Sequence, residues 1–272
     1  MGHDCARDVR KVPPALRSRI MSGMRTIPII CYHNIGPTPA GSRFGLLYVN
    51  PEKFERQLWM MRRLGLRGVA VREGLRELVG NTKSNLVMLT FDDGYVDTVT
   101  VALPLLKKYG FTATCYVVSQ AIGTYNTWDA EYLQEKKALM SQDQIRQWLA
   151  AGMEVGSHSC SHRRLHELDA ETAYQEIAES RTALRTAFDI AADHFSYPFG
   201  SFNGTTMELV KRAGYSSAVS VVPGTARATD DPYRLPRILI NGERGWWKFL
   251  LQVATPYEDL RERRRAAGGA RR

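Results

Sequence analysis

Apolar residues in this 272-residue chain fall into short continuous runs separated by amphipathic stretches. The runs read as strands covered on both faces, and the stretches as helices lying over them. Ile27–Tyr32 predicts a first strand that ends at His33, and Leu86–Phe91 predicts another that ends at Asp92. Further strands are expected over 66–71, 112–118, 153–157, 194–197, 216–222 and 235–240. Helical spacing covers 51–64, where Phe54, Leu58, Met61 and Leu64 share one face and Gly65 is a stop signal. Helices are also expected over 96–109, 170–188 and 205–213. Ser141 precedes Gln144 at capping-box spacing and opens a helix to Ala151, with Gly152 beyond it. Residues 119–140 keep neither period and read as a long loop with partial helix. The cluster Trp246-Trp247-Lys248-Phe249-Leu250-Leu251 reads as a buried terminal helix rather than a membrane-facing or glycan-stacking patch.

Strands alternating with helices imply parallel pairing through crossover connections, hence an α/β fold. His33, Asp92, Asp93, His158 and the Pro198-Phe199-Gly200 turn all follow predicted strand ends. In a (β/α) barrel those ends meet at one mouth, where residues distant in sequence form one site. The expected layout is a basic extension over 1–24, a domain over 25–260 and a basic tail over 261–272.

Charge changes this picture little. The balance is 37 − 28 = +9, but much of the excess sits at the ends, as in Arg7, Arg10 and Lys11 or Arg263, Arg264 and Arg265. No basic-aromatic motif accompanies it, so a nucleic-acid partner is not expected. Cys5, Cys31, Cys115 and Cys160 match neither a zinc knuckle nor a disulfide framework and read as free thiols. Residues 1–24 contain no apolar leader, and no run reaches the length of a membrane helix. The expected address is cytoplasmic, with peripheral membrane association left open.

Two segments carry the chemistry: Thr90-Phe91-Asp92-Asp93-Gly94-Tyr95 and His158-Ser159-Cys160-Ser161-His162. A surface Asp-Asp-Gly turn would explain the glycine, but not why two charges end an apolar strand. Adjacent side chains on extended backbone point opposite ways, so one aspartate suits a metal ligand and the other a base. The histidines, four apart, could share an ion; alone they would be surface histidines. Cys160 reads as a bystander. Together these residues supply the parts for metal-assisted hydrolysis.

Both segments, with Ser196-Tyr197-Pro198-Phe199-Gly200, resemble motifs of the NodB-homology polysaccharide deacetylases. The resemblance covers about Arg25 to Asn241 and implies a distorted (β/α) barrel with its site at the strand C-terminal mouth. It implies Asp92 as catalytic base and Asp93, His158 and His162 as ligands of a divalent ion, most often zinc. It also implies a Phe199 backbone amide at the oxyanion. Two departures stand out. Ser196 occupies the place of an arginine that orients the base, a charge Arg237 could supply, unless Arg237 is only a structural salt bridge. The late acid histidine is missing, since none follows His194. Tyr32-His33-Asn34 resembles the opening Tyr-His motif of the poly-N-acetylglucosamine deacetylase branch, which makes His33 the acid candidate over a core histidine. Tyr95, Pro198, Tyr125 and Trp128 are candidate substrate contacts, with Tyr132 beside them; His166 and His194 read as structural. The implied activity is removal of N-acetyl groups from an amino-sugar polymer, oligomer or lipid-linked saccharide, with release of acetate. Hydrolysis of an O-acetyl ester or formamide is the enzymatic alternative. A non-catalytic glycan-binding barrel is the other, and the intact Asp92 argues against it. Oligomeric state is not indicated.

Overall fold

The apolar runs become one parallel sheet in the computed structural model, which describes Pro13 and residues 26–80, 84–243 and 245–261. Its strands are β1 (Ile29–Tyr32), β2 (Arg67–Val69), β3 (Leu86–Phe91), β4 (Thr114–Val117), β5 (Glu154–Ser157), β6 (His194–Ser196), β7 (Ser217–Val219) and β8 (Ile238–Leu239). The order is β7-β6-β5-β4-β3-β1-β8, so neighbours in sequence are mostly neighbours in space. β2 pairs with the start of β3 and β4 with its end, both along one edge. β8 pairs with β1 through Ile30–Ile238 and Cys31–Leu239. A bridge from Val219 to Leu235 ties the approach to β8 back onto β7. The sheet thus curls until its two ends meet through one segment, the distorted barrel that the motif resemblance implies.

Helices cover the outer face. They are α1 (Pro51–Arg63), α2 (Val71–Val79), α3 (Leu103–Tyr109), the single turn α4 (Ala130–Leu133), α5 (Gln142–Ala150), α6 (Ala170–Phe188), α7 (Gly204–Arg212) and α8 (Trp246–Ala254). Asn50 caps α1 by accepting the Glu52 N–H, and Phe54, Leu58 and Met61 turn inward. Each such side chain contributes about 1.5–3 kcal/mol on burial. The capping box at Ser141 and Gln144 forms as its spacing predicts.

Two expectations need correction. The strand expected over 66–71 stops at Val69, and α2, which the pattern does not predict, follows at once. Its mid-helix Gly74 lowers helix propensity, yet a Cβ there would overlap the Met88 side chain, so the close fit to β3 favours glycine. The second correction concerns α8. Phe249, Leu250, Val253 and Ala254 face the core, but Trp246 is half-buried and Trp247 is 39% exposed. The two indoles stack on each other at 4.1 Å. The expected extension over 1–24 and tail over 261–272, with Cys5, lie outside the described residues apart from Pro13 and Arg261. No helix among the described residues is long and apolar enough to cross a membrane.

Candidate active site

The C-terminal ends of β1, β3, β5 and β6 bring His33, Asp92, Asp93, His158 and the 198–200 turn to one mouth. Asp92, one residue past β3, is still tied to β1 by donating its N–H to Tyr32 O at 3.0 Å. Asp93 then enters the left-handed region at φ 72°, followed by Gly94 at 82°. Ser159 (φ 65°), His162 (61°) and Phe199 (58°) share that conformation. Each non-glycine residue held there costs about 1–2 kcal/mol, which the surrounding packing must offset. The two carboxylates therefore divide at a kink in the backbone, rather than by simple alternation along a strand.

Asp93 goes to the histidines. Its Oδ1 lies 3.5 Å from His158 Nε2 and 3.2 Å from His162 Nε2, and all three side chains are buried. His158 Nδ1 donates to the Ser196 carbonyl at 2.7 Å, so Nε2 is the atom that faces Asp93, donating to the carboxylate while the ring is protonated and offering its lone pair to an ion once the ring is neutral. A tetrahedral ion with bonds of about 2.0–2.1 Å has ligand-to-ligand edges of roughly 3.3–3.4 Å. The observed separations bracket that value, so the residues fit a divalent ion with two nitrogens and one oxygen. Three protein ligands would leave a fourth position for water or substrate. His162 has no hydrogen-bond partner on its buried Nδ1 among the described residues. Its ring is held instead between Trp128, stacked at 4.4 Å, and the Phe199 edge at 4.5 Å. Burial opposes charge on Asp93, but hydrogen bonds to both imidazoles hold its carboxyl well below the usual range. Cys160 is buried nearby and belongs to no ligand cluster among the described residues.

Asp92 faces the other way. Arg237 grips it with both arms, Nη1 to Oδ1 and Nη2 to Oδ2, each at 2.7 Å. Ser196 Oγ donates to Oδ2 at 3.2 Å and receives Nη2 of Arg237 at 3.0 Å. The guanidinium is positioned in turn by Nε donating to Ser220 O at 2.8 Å. Arg237 thus stands where the motif departure at Ser196 left a charge to be supplied. Burial pushes the Asp92 carboxyl up, and the Arg237 charge and hydrogen bonds more than reverse this, leaving it at about 2. The base candidate is ionised at any ordinary pH. His33 sits on the same side, and its pKa is lowered by burial against the pull of Asp93 and Asp92. Cys31 lies beneath, with Sγ 3.6 Å from Asp92 Oδ2 and 3.9 Å from His33 Nδ1. Cys31, His33 and Asp92 form a second possible ligand set. A cation there would meet the Arg237 guanidinium on both carboxylate oxygens, so the Asp93 triad is the better metal site.

The loop over 119–140 closes one side of the mouth. Trp128 reaches the site through its stack on His162, while Tyr125 stays at the rim, 41% exposed. Pro198 is buried, and Phe199 is 40% exposed beside His162. Tyr95 differs from expectation: its ring is fully buried and its hydroxyl donates to Asp129 at 3.3 Å, so it forms wall rather than substrate contact. Asp129 also accepts Asn126 Nδ2 at 2.7 Å. Burial, with Asp93 nearby adding to it, raises the Asp129 carboxyl to about 7. Sequence reasoning missed Asp129; its adjacency to Trp128 was the available signal. His194 lies at the start of β6, bonded to Ser217 Oγ at 2.8 Å, and His166 bonds Ser201 Oγ at 2.8 Å.

This mouth, with one carboxylate among two imidazoles and a second clamped by arginine, can support hydrolysis at a metal. Residues 79–218, more than half of the chain, match the polysaccharide deacetylase family, and the chain belongs to that family. It is accordingly a carbohydrate deacetylase, a hydrolase of acetyl groups. Relatives sharpen the likeness. YxkH of Bacillus subtilis, assigned by name to the same family, is 28% identical over 217 residues, 79% of this chain and 71% of the relative. The poly-β-1,6-N-acetyl-D-glucosamine N-deacetylase of Staphylococcus aureus is 23% identical over 199 residues, 72% of this chain and 68% of the relative. Among solved structures, the Streptococcus pyogenes deacetylase PplD in complex with acetate superposes with a TM-score of 0.71 at 29% identity. That match covers 85% of this chain and 99% of PplD.

Proposed function

We propose that this chain removes N-acetyl groups from an amino-sugar polymer or oligomer built of N-acetylglucosamine, with zinc as the resident ion. The observation that carries the reading is the pairing of the Asp93–His158–His162 triad with an Arg237-clamped Asp92 at one mouth. The name of the Staphylococcus aureus relative supports the sugar. Asp93, His158 and His162 would hold the ion, which when bound would polarise the amide carbonyl and acidify water beside it. Asp92 takes the proton of the attacking water. Arg237 and Ser196 fix that carboxylate in one orientation, so little reorganisation accompanies the transfer. The Phe199 backbone N–H serves the oxyanion as it develops. His33 delivers a proton to the departing nitrogen, so that acetate and free amine separate. Trp128 and Phe199 wall the site and limit water around the acetyl group.

The test is acetate release from N-acetylglucosamine oligomers by the purified protein, before and after chelation and after zinc is restored. Activity lost to chelator and regained with zinc is expected. Chelator-insensitive turnover, or acetate released only from O-acetyl esters, would overturn the proposal.

A further inference from the structure

Away from the mouth, the barrel flank carries a cavity of about 770 Å³ between α1, the end of α3 and the start of α8. Three aromatic rings line it: Trp59, Tyr109 and Trp246. Between them stand the amides of Asn50 and Gln57, whose oxygens already accept the Glu52 N–H and the Tyr32 hydroxyl and whose NH2 groups are the donors that face a ligand. Charges of both signs are present in Glu52, Glu55, Lys53 and Arg56. Glu55 already takes Lys108 at 2.5 Å and the Tyr109 hydroxyl at 3.3 Å, and the Lys53 ammonium donates to Gly242 O. The cavity therefore offers no unbalanced field to select an anion or a cation. Its charged rim also makes a poor seat for an acyl chain, whose burial would desolvate those groups without partners. What remains complementary is a neutral ligand with apolar C–H faces for the rings and hydroxyls for the amides.

Its position adds a second argument. Asn50, at one end of the cavity, closes the segment that begins at Asn34, next to His33. That segment folds back on itself, with Asn34 N–H donating to Leu47 O and Val49 N–H to Asn34 O, at 3.1 and 2.8 Å. The segment thus runs from the mouth, at His33, to the edge of the cavity, at Asn50. A linear polymer that follows this segment would reach both. Sites of roughly 300–1,000 Å³ are the usual size for bound small ligands, enough here for a short oligosaccharide.

We propose that this flank cavity is a second saccharide-binding site, holding neutral N-acetylated units of the chain whose neighbouring units are deacetylated at the mouth. It rests on the reading that the substrate is a saccharide. Its role is to raise the affinity for long substrates without touching the reacting bond, so it acts on KM rather than kcat.

The experiment compares the full-length protein with the double variant Trp59→Ala/Trp246→Ala on two probes. These are a disaccharide and a hexasaccharide of N-acetylglucosamine, each tried with β-1,4 and β-1,6 linkage. The expected result is a hexasaccharide KM raised roughly threefold to tenfold, with kcat and all disaccharide parameters unchanged. Unchanged disaccharide turnover also shows that the variant is folded. Equal hexasaccharide KM for both proteins overturns the second site and leaves the deacetylase reading intact. If the wild-type protein releases no acetate from either probe, that reading fails, and direct titration decides the cavity. Hexasaccharide that alters indole fluorescence of the wild type more than that of the double variant, in which Trp128 still reports on the mouth, sustains the site on its own; an equal change in both, or none in either, sinks it.

Discussion

Arg237 meets both oxygens of Asp92 across 145 residues of sequence, and its meaning turns on burial. With either group removed, the other becomes a charge enclosed without a partner, which typically costs about 3–5 kcal/mol. Arg237→Met should therefore raise the Asp92 carboxyl from about 2 toward and beyond the ordinary range, because burial then acts unopposed. The acid limb of kcat/KM should move to higher pH, with turnover at neutral pH reduced by about 10²-fold or more. Arg237→Lys, a point charge without the fork, should restore part of the rate. A pH profile that does not move in Arg237→Met would remove the clamp from the mechanism. Trp128 makes a different kind of contribution. It orients His162 by stacking, where a hydrogen bond to Nδ1 would be the common device. Trp128→Ala should weaken zinc affinity by roughly tenfold. Competition with a fluorescent chelator measures this directly, and unchanged affinity would show that the stack is incidental.

The elements differ in how they hold these residues. The strand ends are fixed by the sheet, whereas the loop over 119–140 depends on a few ties. Lys137 pairs with Asp97, and its ammonium lies 4.9 and 5.1 Å from the Tyr48 and Tyr95 ring centres. Asp97 also accepts the Ile35 N–H at 3.1 Å, so one half-buried pair joins three mouth segments. Lys137→Met should leave Asp97 without its cation and destabilise the protein by about 1–3 kcal/mol. Limited proteolysis should then cut within this loop first; an unchanged cleavage pattern and melting temperature would contradict the tie. Much of this was legible beforehand where the signal was local. Asp92, Asp93, His158 and His162 lie in short motifs at the ends of apolar runs, so strand prediction placed them together. Arg237 was legible only through the serine at position 196. The helix α2 was not legible, because Gly74 and four charged neighbours mask its apolar stripe until Met88 is seen against it. Nor was the fate of Tyr95, since a residue next to a motif looks exposed until the Asp129 loop covers it. The Trp246–Trp247 pair looked like core for want of any sign that α8 lies at the edge.

For the barrel as a whole, the mouth concentrates buried charge and left-handed backbone that favour chemistry over stability. Acid should expose this. Asp92 is held at about 2, below its unfolded value of about 3.9, so its roughly 2–3 kcal/mol of stabilisation is complete above that value. It is lost as pH falls from about 4 toward 2, and the Asp93 carboxyl, held well below the usual range, adds a further loss in acid. Zinc should act in the opposite sense, since an ion bound only by the folded chain adds about 4 kcal/mol at a thousandfold excess over Kd. A melting temperature insensitive to zinc would count against the triad as its site.

Separating base from ligand decides the mechanism, and Asp92→Asn does so in one preparation. Metal content is measured alongside acetate release from an N-acetylglucosamine oligomer, for the variant and the wild type. The division of roles at Asp92 and Asp93 predicts one equivalent of bound ion in both proteins, with turnover in the variant lower by about 10³-fold. A variant that keeps its metal and also its activity would contradict that division.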